Sequence, residues 1–347
     1  MNTYRAAIVG LGRMGSTIDE EVVDYPAMAL PYSIAGACQA SPRIGLVAGA
    51  DIRPEKRAAF RDRWGVTALY EDYLEMIAQE RPDLVAICTR GELHAEMAVK
   101  TAEAGVRLIY LEKAIACSMR EADAVLDACR KHGVALNTGV LRRFDVRYHT
   151  ARRLIEAGEI GTPRLVVHYA PSSLLHGHIH SIDTIMYLLG DPAAVSVHGE
   201  LRPLDLKIED NRLDQDPHAV YQIEFDGGLA AWTVPAGNWD FEVFGTDGTI
   251  RAVDNGITWG LRKATKLAGK YTVYQDVPYP PVERRSATLA CLEDLIDAVE
   301  TGRPPLGNID VTHRATELCF AVAESHRLGG ARVTLPLANR DLYVWHV

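Results

Sequence analysis

A glycine-rich turn follows an apolar run close to the start of the chain. The run Ala6–Val9 leads directly into the sequence GLGRMG, which places glycines at positions 10, 12 and 15. This spacing allows a tight strand-to-helix turn and a close approach of the backbone to a pyrophosphate. Ordinary turns are also rich in glycine, so the pattern alone is weak. Its position directly after a strand favours a dinucleotide-binding unit.

Short apolar runs then alternate with amphipathic segments. The strand candidates are Ala6–Val9, Leu46–Ala50, Leu84–Cys88, Arg107–Leu111 and Val134–Leu136. Helices are expected between them, as at Ser118–Glu121, which reads as a capping box before an alanine-rich run that ends near Gly133. This alternation predicts an α/β fold with a doubly wound parallel sheet, a Rossmann domain over residues 1–137.

The pattern changes in residues 138–347. Alternating strands are separated by tight turns, as in Ala219–Phe225, Asp226–Gly228 and Leu229–Val234. Helices are predicted at Arg147–Ala157, Ser181–Leu189, Ala287–Glu300 and Val311–Leu328. We therefore expect a second α/β domain with a largely antiparallel sheet over these residues.

Size and charge narrow the class of partner. A chain of 347 residues with 48% hydrophobic content exceeds what a single core usually supports, which favours two domains. Its net charge of -9 argues against nucleic acid and anionic membranes as partners, so a small molecule is expected. The six cysteines are scattered without a C-x-x-C pair, and no signal segment or membrane span is evident. These features predict a cytoplasmic protein with reduced thiols.

The preference between NAD and NADP depends on the end of the second strand. Asp51 is placed there to bind ribose hydroxyls of NAD and to repel a 2′-phosphate. Arg53 and Arg57 lie close enough to favour the phosphate of NADP instead. We expect NAD, with NADP left open. The segment 19–31 lengthens the interval before Asp51, and it reads equally as a cover over the site or as a neutral surface loop.

Two further sites carry acid–base side chains. Glu112 and Lys113 follow the fourth predicted strand, at the sheet edge where ligands bind, although a solvated ion pair is the plainer interpretation. We favour Lys113 as a group that moves or stabilises the proton of a substrate hydroxyl. His176, His178 and His180 precede an apolar helix. They could ligate zinc, cap the helix or act in acid–base chemistry, and we favour the last without a metal.

These motifs in this order resemble the glucose–fructose oxidoreductase, inositol dehydrogenase and MocA family. The resemblance rests on the glycine motif, His94, Glu112-Lys113, Arg142-Arg143-Phe144 and His180-Ser181-Ile182-Asp183. It implies a Rossmann domain followed by an α/β domain for substrate binding and oligomerisation, here in a homodimer or homotetramer. It also implies a catalytic pair of Lys113 and His180. The cofactor-binding candidates are Gly10, Gly12, Arg13, Met14, Gly15, Asp51, Arg53, Thr89, His94 and Glu112. The substrate-binding candidates are Arg142, Arg143, Tyr148, Asp183 and Trp239.

Two positions depart from the family pattern. Ala114 follows Lys113 where proline is usual, so we expect the backbone geometry at Lys113 to differ. His176 stands where an aspartate usually precedes the catalytic histidine by four residues. Without that carboxylate, we expect His180 to act mainly as a neutral base, with His176 orienting it or binding substrate.

The resemblance implies hydride transfer between NAD(P) and a ring alcohol of a carbohydrate, which yields a keto sugar. A first alternative is glycoside cleavage or isomerisation through transient oxidation, with no net redox change. A second is a non-catalytic nucleotide sensor, and a third is a metal-dependent hydrolase that uses the three histidines.

Overall fold

The structure is a computed structural model that describes residues 3–346. The chain divides into two compact units. The first takes in the chain up to Asp145, then Arg285–Thr316 and the segment from Trp345 onward, whereas the second comprises Val146–Arg284 and Glu317–Val344. The sequence suggested one boundary after residue 137. In the structure, two later segments belong to the first unit.

The first unit is built on a six-stranded parallel sheet. Its strands are β1 (Tyr4–Val9), β2 (Ile44–Ala50), β3 (Ala68–Tyr70), β4 (Leu84–Ile87), β5 (Leu108–Leu111) and β6 (Ala135–Thr138). Their spatial order, β3-β2-β1-β4-β5-β6, is that of doubly wound dinucleotide-binding folds, and it confirms the predicted class. The sequence analysis missed β3, because its apolar run Ala-Leu-Tyr has only three residues, which are half-buried at the sheet edge. Glu112 therefore follows the fifth strand of the chain.

Helices lie between these strands. They are α1 (Asp19–Val22), α2 (Ile34–Ala40), α3 (Pro54–Trp64), α4 (Tyr73–Glu80), α5 (Gly91–Glu103) and α6 (Met119–His132), with a π-helical turn at Arg13–Thr17 and a 3-10 turn at Leu141–Phe144. The predicted N-cap at Ser118 is present at α6, but Glu121 reaches back to the residue before the cap and not to Ser118 itself. Ser118 Oγ accepts the N–H of Glu121 at 3.2 Å, and Glu121 accepts the N–H of Cys117 at 2.7 Å. Gly133 ends the helix at φ 65°.

The second unit contains α7 (Val146–Glu156), α8 (Ile179–Leu189) and eleven strands. The strands are β7 (Pro163–Tyr169), β8 (Ala194–Arg202), β9 (Arg212–Leu213), β10 (His218–Phe225), β11 (Leu229–Val234), β12 (Asp240–Gly245), β13 (Gly248–Val253), β14 (Thr258–Leu267), β15 (Tyr271–Val277), β16 (Val333–Thr334) and β17 (Tyr343–Val344). Nine form one sheet in the order β15-β14-β13-β12-β7-β11-β10-β8-β16, and β17 pairs with β9. Only β7 and β11 run parallel within the larger sheet. The prediction of a largely antiparallel sheet is confirmed.

Two late helices explain the division of the chain. In α9 (Ala287–Thr301), Leu292 and Leu295 are fully buried in the same core cluster as Ile34 of α2 and Tyr110 of β5. The apolar face of α9 packs on the Rossmann sheet and α2, so the chain returns there after completing β15. The following helix, α10 (Ile309–Arg327), belongs to the first unit up to Thr316 and to the second from Glu317.

The cysteines match the expectation of reduced thiols. All six are free and five are buried, and burial raises the pKa of Cys38 to about 12. Within residues 3–346, no helix is long and apolar enough to cross a membrane. The cytoplasmic location stays a prediction.

Candidate active site

The glycine-rich turn after β1 is closely packed at two of its glycines and open at the third. Gly10 has φ +88°, and a Cβ there would lie 2.5 Å from Cys88 O. A Cβ at Gly15 would lie 2.2 Å from Gly10 O. At Gly12, by contrast, a Cβ would meet none of the described atoms within 4 Å. Gly10 and Gly15 therefore allow the turn itself, and Gly12 leaves the space into which a pyrophosphate fits.

Asp51 holds this turn from the end of β2. Its two carboxylate oxygens accept the N–H groups of Leu11 and Arg53, each at 2.9 Å. Arg57 donates to Asp51 O at 2.6 Å, and its other terminal nitrogen lies 3.8 Å from a carboxylate oxygen of Glu71. Arg57 is thus engaged within the protein. This arrangement favours the ribose diol of NAD over the 2′-phosphate of NADP beside the Asp51 carboxylate.

The segment 19–31 is tied back to the residues around the turn. Asp19 Oδ1 accepts the N–H groups of Tyr32 at 2.5 Å and Ser33 at 3.0 Å, so the segment starts and ends at one place. Arg13, within the glycine motif, pairs with Glu21 of α1 at 2.6 Å. The segment therefore packs beside the dinucleotide turn, and the choice between a cover and a surface loop stays a prediction.

Lys113 lies at the end of β5, where Glu112 and Ala114 are both held by neighbours. The N–H of Lys113 donates to Glu112 Oε2 at 3.2 Å, and Tyr110 OH donates to the other oxygen of that carboxylate. The Lys113–Ala114 peptide bond is cis. The residue that follows Lys113 here is alanine, so this cis bond does not involve proline.

His94 and Thr89 support the same edge. His94 is buried, with Nδ1 2.7 Å from Ala114 O and Nε2 3.0 Å from Thr89 O. Burial lowers the pKa of His94, partly offset by the contact with Ala114 O. Both contacts are to carbonyl oxygens, so His94 donates a ring N–H to the backbone at this edge. His94 thus acts on the loops after β4 and β5 through backbone atoms.

In the second unit, the three histidines face different surroundings. His178 is fully buried, with Nε2 2.9 Å from Ala219 O and Nδ1 3.0 Å from Ser181 Oγ, which in turn lies 2.8 Å from Tyr221 OH. Burial lowers the pKa of His178 to about 4, so the ring is neutral. Because both of its nitrogens are used inside the protein, it cannot join His176 and His180 in a metal site. The described residues contain no group of potential ligands that could hold a metal ion.

His176 and His180 lie around the start of α8. Asp216 accepts the N–H groups of Leu175 at 2.8 Å and His176 at 2.7 Å, at the beginning of the π-helical turn Leu174–His178. His180 is half-buried in the first turn of α8, whereas His176 is exposed. Asp216 thus brings a carboxylate to this turn from a different segment, where it binds the backbone N–H groups of Leu175 and His176.

Trp239 lies beside His180. The two rings are edge-on with centroids 6.4 Å apart, and the backbone of Trp239 has φ 59°. A left-handed conformation at a bulky residue is uncommon and is often found at functional sites. Tyr148 differs, because it is 1% exposed and packs edge-on against Trp259 at 4.9 Å.

The remaining candidates are distributed over both units. Arg142 and Arg143 lie in the 3-10 turn of the first unit, and Arg143 is fully buried. Asp183 is 1% exposed on α8 of the second. The structure brings Lys113 to the cofactor edge of the first unit, and it brings His180 to Trp239 in the second.

Two family models match the chain. The model of an oxidoreductase family with an NAD-binding Rossmann fold covers residues 4–140, and the model of its C-terminal alpha/beta domain covers residues 152–335. The chain belongs to the Gfo/Idh/MocA oxidoreductase family. It is therefore an oxidoreductase that uses NAD as its cofactor. The open space at Gly12 and the carboxylate of Asp51 fit that cofactor.

Named relatives and solved structures agree with this membership. The chain is 30% identical to scyllo-inositol 2-dehydrogenase (NAD(+)) of Bacillus subtilis, over 94% of each chain. It is 27% identical to inositol 2-dehydrogenase 3 of Saccharopolyspora erythraea, over 98% of this chain and 97% of that relative. The fold matches an aldose-aldose oxidoreductase from Caulobacter crescentus, with a TM-score of 0.76, 22% identity and coverage of 96% and 100% of the two chains.

Asp216 and His346 were not identified from the sequence of this family member. Asp216 lies 40 residues along the chain from the His176 N–H that it accepts. His346 contacts Ala114 across 232 residues. No local pattern marks either contact, although Asp216-Pro217 was visible as a turn signal between the histidines and β10.

Proposed function

We propose that this family member transfers hydride between NAD and a ring alcohol of a sugar, polyol or sugar derivative, and that the product of oxidation is a keto sugar. The observation that carries the proposal is the position of Lys113, at the strand edge that also presents Gly10, Asp51 and Thr89. Ligands of open α/β sheets bind at this edge. The inositols named for two relatives support a cyclic polyol or sugar as the substrate class.

Lys113 and His180 are proposed to handle the hydroxyl proton. Bound NAD supplies the hydride acceptor. A lysine ammonium stabilises negative charge developing on the hydroxyl oxygen, and a neutral imidazole takes the proton as general base. His180 suits this second role because its ring is half-buried at the start of α8. Asp216 fixes the turn before it through two backbone N–H groups.

Trp239 is proposed as a platform for the sugar ring. Its indole lies beside His180, and its left-handed backbone fixes the direction of the side chain. An aromatic face packs well against the C–H face of a ring whose hydroxyls point outward. Arg142 and His176 stay proposed substrate contacts. The burial of Arg143, Tyr148 and Asp183 favours roles inside the protein for these three side chains.

The first experiment follows NADH absorbance with inositols, sugars, sugar acids and glycosides, while mass spectrometry identifies the products. We expect NADH to form together with a product two hydrogens lighter than its substrate. Cleavage or isomerisation that needs NAD without net NADH would instead support transient oxidation. A failure of every substrate despite NAD binding would favour a sensor.

Variants test the assigned roles. Lys113→Met and His180→Asn are each expected to lower kcat by about 10²–10⁴-fold, the range of general acid–base groups. The binding of NAD to Lys113→Met, measured by fluorescence, should change little. Lys131→Met removes an exposed lysine from α6 and serves as the matched control. Full activity of Lys113→Met would exclude its proposed role.

We further propose a homo-oligomer, either a dimer or a tetramer. Trp232 and Val234 are 46% and 36% exposed at alternate positions of β11, so they share one face of the larger sheet. An apolar sheet face of this kind is typical of subunit interfaces. Light scattering after gel filtration should give a molecular mass that is a multiple of 38.2 kDa. Trp232→Glu should lower that mass. A monomeric mass for the unmodified chain would exclude this proposal.

A further inference from the structure

The segment after β17 returns to the first unit and inserts a histidine beside Lys113. His346 is fully buried, and its Nε2 accepts the N–H of Ala114 at 2.9 Å. Because that nitrogen accepts a hydrogen bond, it carries no proton, and the ring is the neutral Nδ1–H tautomer. The alanine N–H, which a proline would lack, therefore has a specific acceptor.

The position of the imidazole is defined from two further sides. A Cβ at Gly91 would lie 2.2 Å from His346 Cδ2, so the first residue of α5 leaves room for the ring only because it is glycine. The neighbouring Trp345 donates its indole N–H to Glu92 at 3.0 Å. These contacts anchor the segment 345–346 on the start of α5.

Ala114 is held on its other side by a second histidine. His94 Nδ1 lies 2.7 Å from Ala114 O, and the rings of His94 and His346 are edge-on with centroids 6.2 Å apart. The N–H and the C=O of one residue are thus each held by a different imidazole. The Ala114 N–H lies in the same rigid plane as the Lys113 Cα, so fixing that N–H fixes the point from which the lysine side chain starts.

We infer that His346 is a positioning residue for Lys113. Its hydrogen bond to the Ala114 N–H aims the ammonium group at the reacting hydroxyl. The inference rests on the proposed role of Lys113 and adds the residue that directs it. A displacement of about 1 Å at a reacting group can cost about 10²-fold in rate, so loss of this acceptor should appear in kcat.

The test compares two replacements at one site. His346→Phe keeps a ring of similar size and removes the acceptor, whereas His346→Gln keeps an acceptor at a similar reach. We expect His346→Phe to lower kcat by about 10- to 100-fold, with the Kd of NAD changed less than about threefold. His346→Gln should keep kcat within about fivefold of that of the unmodified enzyme.

A matched control separates positioning from loss of stability. His326 also accepts a backbone N–H, that of Leu201 at 3.2 Å in the second unit. His326→Phe should lower the unfolding temperature and leave kcat within about twofold of the unmodified value. If the effect of His346→Phe were purely structural, that variant would give the same two results. Gly91→Ala provides a second route to the same site, since its methyl group displaces the His346 ring. It should lower kcat even if His346→Phe does not fold.

The outcomes distinguish this inference from the proposed function. If His346→Phe and Gly91→Ala both keep the unmodified kcat while Lys113→Met is inactive, the positioning role of His346 is wrong. Equal loss of kcat in the Phe and Gln variants would also contradict it. If Lys113→Met is itself active, the proposed role of Lys113 fails instead.

Discussion

Replacing Gly10 and Gly12 separately should distinguish the folding of the dinucleotide turn from its binding of NAD. At Gly12, φ is -85° and ψ is -142°, and an added methyl group would meet none of the described atoms within 4 Å. Gly12→Ala should therefore fold normally, with a free energy of unfolding changed by less than about 1 kcal/mol. The methyl group would occupy the space of the pyrophosphate, so the Kd of NAD should rise at least about tenfold, or about 1.4 kcal/mol.

At Gly10 the same methyl group acts on the fold. A side chain at φ +88° would lie 2.5 Å from Cys88 O. The left-handed conformation costs about 1–2 kcal/mol and the overlap about 1–3 kcal/mol, which gives a loss of about 2–5 kcal/mol. At about 2–4 °C per kcal/mol, the unfolding temperature of Gly10→Ala should fall by about 4–20 °C.

Thermal unfolding with and without NAD measures both effects. At an NAD concentration of about 100 times the Kd, the unmodified protein should gain about 2.7 kcal/mol, whereas Gly12→Ala should gain about 1.4 kcal/mol or less. Titration calorimetry gives the Kd values directly. Unchanged NAD affinity in folded Gly12→Ala would refute the assignment of that space to the pyrophosphate. An unchanged unfolding temperature in Gly10→Ala would refute the argument from backbone geometry.

Three further predictions concern ionisable groups. Asp51→Ala should raise the ratio of kcat/KM for NADP to that for NAD by at least about tenfold, since a negative charge no longer repels the 2′-phosphate; an unchanged ratio would contradict the role of Asp51. His178, whose pKa burial lowers to about 4, is neutral in the folded state. Between about pH 6.5 and 4 the unfolded chain alone is protonated there, so stability present above pH 6.5 is lost as pH falls, by about 3 kcal/mol in total. His178→Asn should have a correspondingly flatter dependence of the unfolding temperature on pH, and an equal slope would exclude the effect. Asp216→Asn should lower kcat with unchanged NAD binding because it weakens the turn at His176, whereas Asp214→Asn, which changes an exposed ion pair, should alter neither; equal kcat values in the two variants would contradict the role of Asp216.

Local patterns in the sequence were sufficient to predict five of the six strands of the first sheet, together with its cofactor turn. The apolar runs of β1, β2, β4, β5 and β6 are short, buried and separated by amphipathic helices, and such periodicity depends only on neighbouring residues. The glycine spacing and the N-cap at Ser118 are equally local. The interpretation of NAD at Asp51 followed from one residue at the end of one strand.

Contacts between distant residues required the tertiary structure. The short edge strand β3 pairs only with β2, and its sequence carries no signal of that pairing. The return of α9 to the first unit depends on an apolar face that two separate segments complete, because Leu292 is buried in the same core as Ile34. Sequence periodicity records which face of a helix is apolar and not which surface covers it.

The same limit applies to the candidate site. Lys113 and His180 could be singled out because each lies at the end of a recognisable element. The groups that hold their surroundings, Asp216 and His346, act on backbone N–H groups 40 and 232 residues away. A hydrogen bond to the backbone does not depend on which residue donates, because every residue except proline offers the same N–H. The sequence therefore does not show where such a bond forms. The candidate residues of the site could therefore be predicted from the sequence, whereas the contacts that hold their surroundings were decided by the fold.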